Sequence, residues 1–534
     1  VQLFRPDETV KFVEPLPVGP GRLHKLFDGW LTKLVPSEVS GLKGYLVGQW
    51  SQPGWPHFGS ICSGTDIPAA VCEQWWSWAG DFAGDFERLD MRFEHKFSCE
   101  LDPKKRGFIR SVHPGVGHIF GDVMDLSGQE AWCFKTGGLT PVPACEVVAA
   151  GFPCTDVSHL NPHSRTQANR SCVGHSSMRT GGVFGGILDY LRSQDTKPTV
   201  LLLENVMGLS APPKEGGPSN LDIVGLQLAG LGYHLHAWYL TPKMFGVPQC
   251  RQRVWMTAIR TDLVQDLVHN LSEVNDILAE LTSRITGWSK ELKDFQKYTK
   301  AKLHKQRKSN KKRGSSNLVS KNQKPQRWVM RTIQKKKPVR VPRAWKEILK
   351  AGQSRFVYLQ TLTRRKRALL CSAGVKAFPE QGITRVIDIS QSPGRSNLVV
   401  GYMPCITPKG EKYLTALCRP VLGLECLRIQ GLWLDSGDSR VEGMSDSLLK
   451  DLAGNAFEQS CFAAVLWCTL VFYSKMHHRR ADAHSAGHKS DKPDQAQQQL
   501  DDGGRTPIYL NSDPDQDANI ISLTMSDSAS VKQC

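Results

Sequence analysis

The sequence predicts an α/β fold, a mainly parallel sheet with helices on both faces, and two observations lead there. Between residues 56 and 261, short apolar runs bounded by Gly, Pro, Asp or Asn alternate with helix-like stretches. Strand, helix, strand in repetition builds a parallel sheet covered on both sides. The longest apolar run, Cys461–Tyr473 (CFAAVLWCTLVFY), falls short of the roughly 20 residues a membrane span needs and reads as a buried helix. No membrane partner is expected.

Taken in order, strands are predicted at His57–Cys62, Arg92–Cys99, His118–Phe120, Glu146–Ala150, Thr199–Leu203, His234–Leu240 and Val254–Ile259. Helices are predicted at Pro68–Trp78, Gly185–Arg192 and Leu221–Leu231. Residues 1–55 mix Pro, Gly and short apolar pieces and are given no role. A region from 262 to 402 breaks the rhythm: an amphipathic stretch at Leu263–Leu281, then a Lys-rich run, then strand-like Ile383–Ile389 and Leu398–Tyr402. Order returns between 403 and 474, with Arg419–Leu432 and Lys450–Tyr473. From 475 to 534 the chain is polar and poor in apolar residues, the composition of a disordered tail.

At 534 residues the chain is too long for one ordinary core. Its 40% hydrophobic and 22% charged content fits a soluble globular protein with some disordered parts. It begins with Val1 and has no basic-then-apolar leader, so a trimmed chain is expected. The fifteen cysteines are scattered and none stand at C-x-x-C spacing, which predicts reduced thiols in an intracellular protein and no metal site. The net charge of +17 is concentrated: Glu291–Lys350 holds 21 Lys and Arg against three acidic residues, leaving the rest near neutral. Trp328, Trp345 and Phe356 lie in or beside that run, so a localised polyanion-binding element is favoured over a merely solvated insert.

In an open α/β sheet, ligands sit at the carboxyl ends of the strands. The first strand ends in Ser63-Gly64-Thr65-Asp66, a small-residue turn opening a helix. Glu100 ends the second, where a carboxylate commonly takes ribose hydroxyls, and Gly121-Asp122-Val123 ends the third. Each signal alone is weak; in sequence they describe a nucleoside-containing cofactor. Next come Gly151-Phe152-Pro153-Cys154, then Glu204-Asn205 after Leu201-Leu202-Leu203, then Gln249-Cys250-Arg251-Gln252-Arg253. Burial would raise the pKa of Glu204 and keep it able to give a proton. Arginines two apart on extended chain point the same way, as a fork. For a lone cysteine a buried core thiol is the usual case. With an acid and two guanidiniums beside it, Cys154 reads instead as a nucleophile for an electron-poor ring such as a pyrimidine.

This ordered set resembles the DNA (cytosine-5)-methyltransferase family. The match comprises Gly151-Phe152-Pro153-Cys154 with Ser158, Glu204-Asn205-Val206, and Gly246-Val247-Pro248-Gln249 with Arg251 and Arg253. It continues with Arg419-Pro420 through Glu425, Arg428, Gln430 and Gly431, and closes on Ala453-Gly454-Asn455. The resemblance implies a Rossmann-like S-adenosylmethionine-dependent methyltransferase fold, with 56–261 and 403–474 as the catalytic core and 262–402 as target-recognition region. It implies that Cys154 attacks C6 of a cytosine flipped out of duplex DNA, with Glu204 on N3 and the exocyclic amine. Arg253 would bind O2, while Arg251 contacts backbone phosphate or supports the loop. Ser63, Gly64, Thr65, Glu100, Leu101, Asp122, Val123, Pro153 and Asn455 would hold S-adenosyl-L-methionine. Glu100 would take the ribose and Asp122 the adenine amine, with Leu101 and Val123 beside the ring. Ser158, Asn205 and Gln249 would support the site, Asn205 by ordering the turn that carries Cys154. The helix with Cys461–Tyr473 would pack beside the first strand.

The chain departs from the family pattern in two places. The usual Phe-x-Gly-x-Gly turn reads Cys62-Ser63-Gly64-Thr65-Asp66, so Cys62 and Asp66 are not counted as cofactor contacts. Thr155 stands where glutamine usually follows the cysteine. The loop Asn161–Gly182, with Arg165, Arg170 and Arg179, suits closure over DNA. Double-stranded DNA is therefore the expected partner, in the nucleus if the source is eukaryotic, or the cytoplasm and nucleoid if prokaryotic. Lys302–Arg313 and Arg364–Arg367 have the composition of import signals. Two alternatives stand beside this reading: a tRNA cytosine-5 methyltransferase with the same catalytic blocks, and a catalytically inactive DNA-binding regulator with the same fold.

Overall fold

The computed structural model describes residues 1–5, 21–50, 56–84, 93–158, 173, 180–213, 216–286, 362–363, 365–366, 369–370, 385–391, 398–400, 402–414, 419–434 and 437–487. The Lys-rich run Glu291–Lys350, Trp328, Trp345, Phe356, loop residues Arg165, Arg170 and Arg179, and the tail from 488 onward lie outside the described residues. Residues Val1–Ala483 form one unit; of the second, His484–Cys534, only the first four residues are described.

The main sheet has eight strands: β1 (Leu3–Phe4), β2 (His57–Ile61), β3 (Glu94–Cys99), β4 (His118–Phe120), β7 (Val147–Ala150), β8 (Val200–Val206), β9 (Tyr233–Leu240) and β11 (Arg253–Arg260). The numbering leaves room for a hairpin, β5 (Glu130–Cys133) and β6 (Gly138–Pro141), and for the short β10 (Gln249–Cys250). Spatial order is β1-β9-β11-β8-β7-β2-β3-β4. All pairings are parallel except those of β11, which runs antiparallel between β8 and β9. Successive strand residues point to opposite faces, and here both faces are apolar. Val147, Ala149, Val200, Leu202, Trp255 and Ile259 join one cluster, and Val148, Ala150, Leu201, Leu203, Val254 and Met256 the other.

Helices α1 (Arg22–Leu31), α2 (Pro36–Trp50), α3 (Ile67–Ala83), α4 (Pro103–Val112), α5 (Gly181–Ser193), α6 (Asn220–Ala229) and α7 (Leu271–Ile285) follow in chain order. After the central gap come α8 (Gly423–Ile429), α9 (Asp446–Asn455) and α10 (Gln459–Gly487). Their starts have local causes: Asp102 accepts from Lys104 N (2.8 Å), Ser219 and Asp222 form a capping box, and Asn270 accepts from Ser272 N (2.9 Å). A four-stranded antiparallel sheet, β13-β12-β15-β16, unites β12 (Arg385–Asp388), β13 (Leu398–Val400), β15 (Lys412–Leu414) and β16 (Arg419–Pro420). Its own small core holds Leu362, Leu369, Leu370, Ile387, Ile389 and Tyr413. The short β14 (Met403–Pro404) pairs with β10.

Four expectations are extended or changed. First, the described parts of residues 1–55, given no role from sequence, join the fold: β1 extends the sheet and α1 packs into its core. Leu23, Leu26, Phe27 and Trp30, spaced for one helical face, are all fully buried. Phe27 stacks on Trp467 at 6.0 Å, and the buried Arg22 donates to Ser460 Oγ (2.7 Å). Second, α10 does not stop at 474. It continues through the start of the predicted tail, where Arg479 binds Glu273 (2.8 Å) and Leu267 O, and Arg480 binds Leu263 O (3.0 Å). Third, the Cys461–Tyr473 helix, which shares a buried cluster with Phe58 of the first predicted strand as expected, also reaches α1, β11 (Thr469 to Thr257, 3.1 Å) and α7 (Cys468 to Thr282, 3.5 Å). Fourth, β8 runs on past Leu203, so Glu204 and Asn205 are strand residues held by ladder pairing with β11.

Candidate active site

Parallel pairing brings the carboxyl ends of β2, β3, β4, β7 and β8 to one edge, where the predicted site residues gather. On the cofactor side, Ser63 N donates to Cys99 O (3.1 Å) and its hydroxyl meets Ser60 Oγ (2.6 Å). Gly64 N donates to Glu100 Oε2 (2.9 Å), and Glu100 Oε1 accepts from Asp102 N (3.0 Å). A carboxylate has about four acceptor sites, so Glu100 keeps capacity for further donors. Gly64 has φ +57°, and a Cβ there would lie 3.6 Å from the carbonyl oxygen of Asn455. The end of α9 thus returns to the first turn, although the Asn455 amide itself donates to Asp451 O (3.0 Å).

Asp122 caps the turn after β4 by accepting from Met124 N (3.1 Å) and is exposed. Val123 is buried in the core, while Leu101 is 67% exposed. The Thr65 hydroxyl is fully buried with no hydrogen-bond partner among the described residues. This orphaned hydroxyl, the spare acceptors of Glu100 and the Gly64–Asn455 approach suit a nucleoside-bearing group. Arg106 was not anticipated: it donates to Glu100 O (2.9 Å) and Leu101 O (2.6 Å) and lies over the Phe134 ring at 3.8 Å. It sits in the first turn of α4, a helix not among those the sequence predicts.

On the other side, Cys154 follows Pro153 in the turn after β7, and both are half-buried. Asn205 Nδ2 donates to Phe152 O (3.2 Å) and its Oδ1 accepts from Val206 N (2.8 Å), tying that turn to β8. In the β8–β11 register Arg253 faces Val206, and its diagonal neighbour is Glu204. Arg253 Nε accordingly sits 2.8 Å from Glu204 Oε1, while its other nitrogens donate to Gln252 O (2.8 Å) and Cys405 Sγ (3.6 Å). Cys405 was not predicted, since nothing in sequence links it to a residue 152 positions away. Gln249 is fully buried in β10, and Ser158 is half-buried at the end of the described turn.

Arg251 corrects one expectation. It is 3% exposed and donates to Ile406 O (3.2 Å), Gly454 O (3.3 Å) and Ala456 O (2.7 Å), so its guanidinium is not presented to a phosphate. The loop-supporting role is the one its bonds permit. It also lies 3.7 Å from Glu204. Burial pushes the Cys154 thiol above its ordinary pKa; Arg253 and Arg251 pull it back, and Glu204 adds to the rise. For Cys405 burial also pushes up, but Arg253 and Arg251 outweigh it and hold the thiol below its usual value.

A sequence profile described as "C-5 cytosine-specific DNA methylase" matches residues 76–455. The chain belongs to this family. Within the methylase match lie Glu100, Asp122, Cys154, Glu204, Arg251, Arg253 and Asn455; the turn Cys62–Asp66, where the chain departs from pattern, precedes it. The chain is 25% identical over 484 residues to DNA (cytosine-5-)-methyltransferase DMT5 of Verticillium dahliae, covering 79% of this chain and 20% of that protein. It is 24% identical over 441 residues to the protein of the same name from Cryptococcus neoformans, covering 77% and 17%. The chain thus spans about a fifth of the length of these relatives. Among solved structures it is similar to the S. pombe Dnmt2 methyltransferase, at 14% identity and TM-score 0.37, covering 78% of this chain and 98% of that one.

Proposed function

We propose that this methylase transfers a methyl group from S-adenosyl-L-methionine to C5 of cytosine in double-stranded DNA. The observation that carries the reading is the meeting of Glu204 with Arg253 and Arg251 (2.8 and 3.7 Å) around the charge environment of Cys154. Cys154, as thiolate, adds to C6 of a flipped-out cytosine. The ring electrons move toward N3, where Glu204 holds the proton and the exocyclic amine, and Arg253 binds O2. Asn205 keeps the turn of Cys154 in place, and Arg251 holds Glu204 from behind. Ser63–Thr65, Glu100, Asp122 and Asn455 would hold S-adenosyl-L-methionine, which would supply an electrophilic methyl group to C5 and depart as S-adenosylhomocysteine. Loss of the C5 proton to a solvent water then expels the Cys154 thiolate and restores the aromatic ring.

The concentration of positive charge in Glu291–Lys350, between the arginine block and Arg419-Pro420, supports duplex DNA as substrate and predicts steep salt dependence. A eukaryotic chromosomal substrate would place the protein in the nucleus. The test is labelled methyl transfer to duplex DNA and to tRNA, with Cys154→Ala alongside. Transfer to duplex DNA that Cys154→Ala abolishes is the expected result. Transfer to tRNA alone would establish the tRNA alternative, and transfer to neither would leave the inactive DNA-binding regulator. Failure of a 5-fluorocytosine duplex to trap the protein covalently would refute Cys154 as nucleophile.

A further inference from the structure

The turn that carries Ser63, Gly64 and Thr65 ends on an aspartate in a conformation that ordinarily calls for glycine. Asp66 has φ +54° and Cys62 φ +56°, the only two non-glycine residues of positive φ among those described. A side chain in the left-handed region is disfavoured, so something must hold it. Asp66 is fully buried, and its Oδ2 accepts from the Ser98 hydroxyl and lies 3.3 Å from His95 Nε2. Ser98 Oγ and His95 Nε2 are 3.0 Å apart, so the three groups close a ring of contacts across β3. One residue upstream, the Thr65 carbonyl accepts from His113 Nε2 (3.0 Å), at the end of α4. The rings of His95 and His113 meet edge to face at 6.3 Å, and Phe58 and Phe93 flank His95 at 5.6 and 6.4 Å.

Burial would push the Asp66 carboxyl up, but His95, His113 and Ser98 outweigh it and hold it below the usual carboxylate range. His113 is held below its ordinary value by burial, against the opposing pull of Asp66 and of Glu73 on α3. His113 therefore serves as a neutral donor to the Thr65 carbonyl.

We propose that Asp66, His95 and Ser98 are positioning residues for the cofactor: a buried polar clasp that, with His113, locks the turn Cys62–Asp66 in its binding shape where the family pattern relies on a second glycine. None of the three needs to touch the cofactor. The clasp instead fixes the Gly64 amide against Glu100 and the Thr65 hydroxyl in the turn. This rests on the reading of that turn as the S-adenosyl-L-methionine site.

The test is calorimetric binding of S-adenosylhomocysteine to the full chain and to Asp66→Gly, Asp66→Asn and His95→Gln, with cofactor KM and kcat alongside. Glycine relieves the backbone but strands His95 and Ser98, so binding should weaken roughly tenfold, the effect of one lost charge-assisted hydrogen bond. KM should rise to match while kcat at saturating cofactor stays within about twofold. Asparagine, which tolerates the left-handed region and still accepts from Ser98, should recover most of the loss. If wild type binds and Asp66→Gly binds equally well, or if kcat falls with KM unchanged, the clasp is refuted. If wild type itself does not bind, the cofactor reading fails and the clasp falls with it. Should Asp66→Gly not fold, Asp66→Asn against His95→Gln decides on the same readouts.

Discussion

Arg251 and Arg253 are two residues apart, of one type, and both near Glu204, yet their bonds divide their labour. Arg251 is buried and donates to three carbonyls, on Ile406, Gly454 and Ala456, none of which is local in sequence. Arg251→Ala strands these acceptors and leaves Glu204 with one cation. A buried acceptor without its donor costs roughly 1–3 kcal/mol, and Arg251 satisfies three of them. Because the three carbonyls relax partly, a loss of about 4 kcal/mol is expected. Arg251→Lys keeps the charge but not the fork, and should lose roughly half of that. Arg253 is bound to its neighbour Gln252 O, to Glu204 and to Cys405, all at the edge of the site. Arg253→Ala should therefore cost less than about 1.5 kcal/mol of stability but slow methyl transfer about 10²–10³-fold, the usual effect of removing one donor to a developing oxyanion. Urea denaturation and single-turnover methyl transfer on both variants provide the measurements. Equal destabilisation by the two alanine variants, or an Arg251→Ala protein within about 1 kcal/mol of wild type, would refute the division.

Three further outcomes are expected. In Gly454→Ala a Cβ would fall 2.1 Å from Pro408 N and 2.4 Å from Thr407 C, both backbone, so soluble yield and melting temperature should drop sharply; Gly182→Ala, with nothing within 4 Å, should be silent. His236 is buried beside Asn275 (2.8 Å), and burial lowers its pKa to about 4 from an ordinary 6.5. It folds neutral while the unfolded chain takes the proton first, so its contribution is whole above pH 6.5 and is lost as pH falls toward 4. That amounts to about 3 kcal/mol, and urea midpoints at pH 7.5 and 4.5 should converge in His236→Gln. Since burial pushes the Cys154 thiol up and Arg253 pulls it back, single-turnover rates should rise from pH 7 to 9, and Arg253→Ala should move that rise to higher pH; a flat profile would contradict a rate set by the thiolate.

The ends of β2, β3, β4 and β7 were legible because an apolar run followed by a polar residue is a local signal, and the same signal located Glu100, Asp122 and Cys154. Where the decisive partner is far along the chain, sequence pattern fell short. The i, i+3, i+4, i+7 face of α1 was present in Leu23, Leu26, Phe27 and Trp30, but its partner Trp467 is contributed by α10. The polar run after 474 looks like a tail because α10 there faces solvent on most sides; its anchors are all distant in sequence, Lys475 on Glu38 (2.6 Å), His477 beside Tyr45, and Arg479 and Arg480 on the segment before α7. Cys405 and the clasp of Asp66 with His95 and Ser98 have no local signature at all. A positive φ at an aspartate is a property of the folded turn, not of its letters.

The same dependence on distant partners explains how the two halves of the site are joined. Gly454, Asn455 and Ala456 are consecutive at the end of α9. The outer two give their carbonyls to Arg251, and the middle one sets its carbonyl against Gly64 in the cofactor turn. Gly454 can sit there only because it lacks a side chain, with the Thr407–Pro408 backbone filling the place of a Cβ. One short stretch near the end of the fold thus braces the turn that would hold the methyl donor and the arginine behind Glu204. A displacement of that stretch cannot disturb one without the other. Loss of Arg251 should therefore weaken S-adenosylhomocysteine binding as well as stability, whereas loss of Arg253 should leave that binding unchanged.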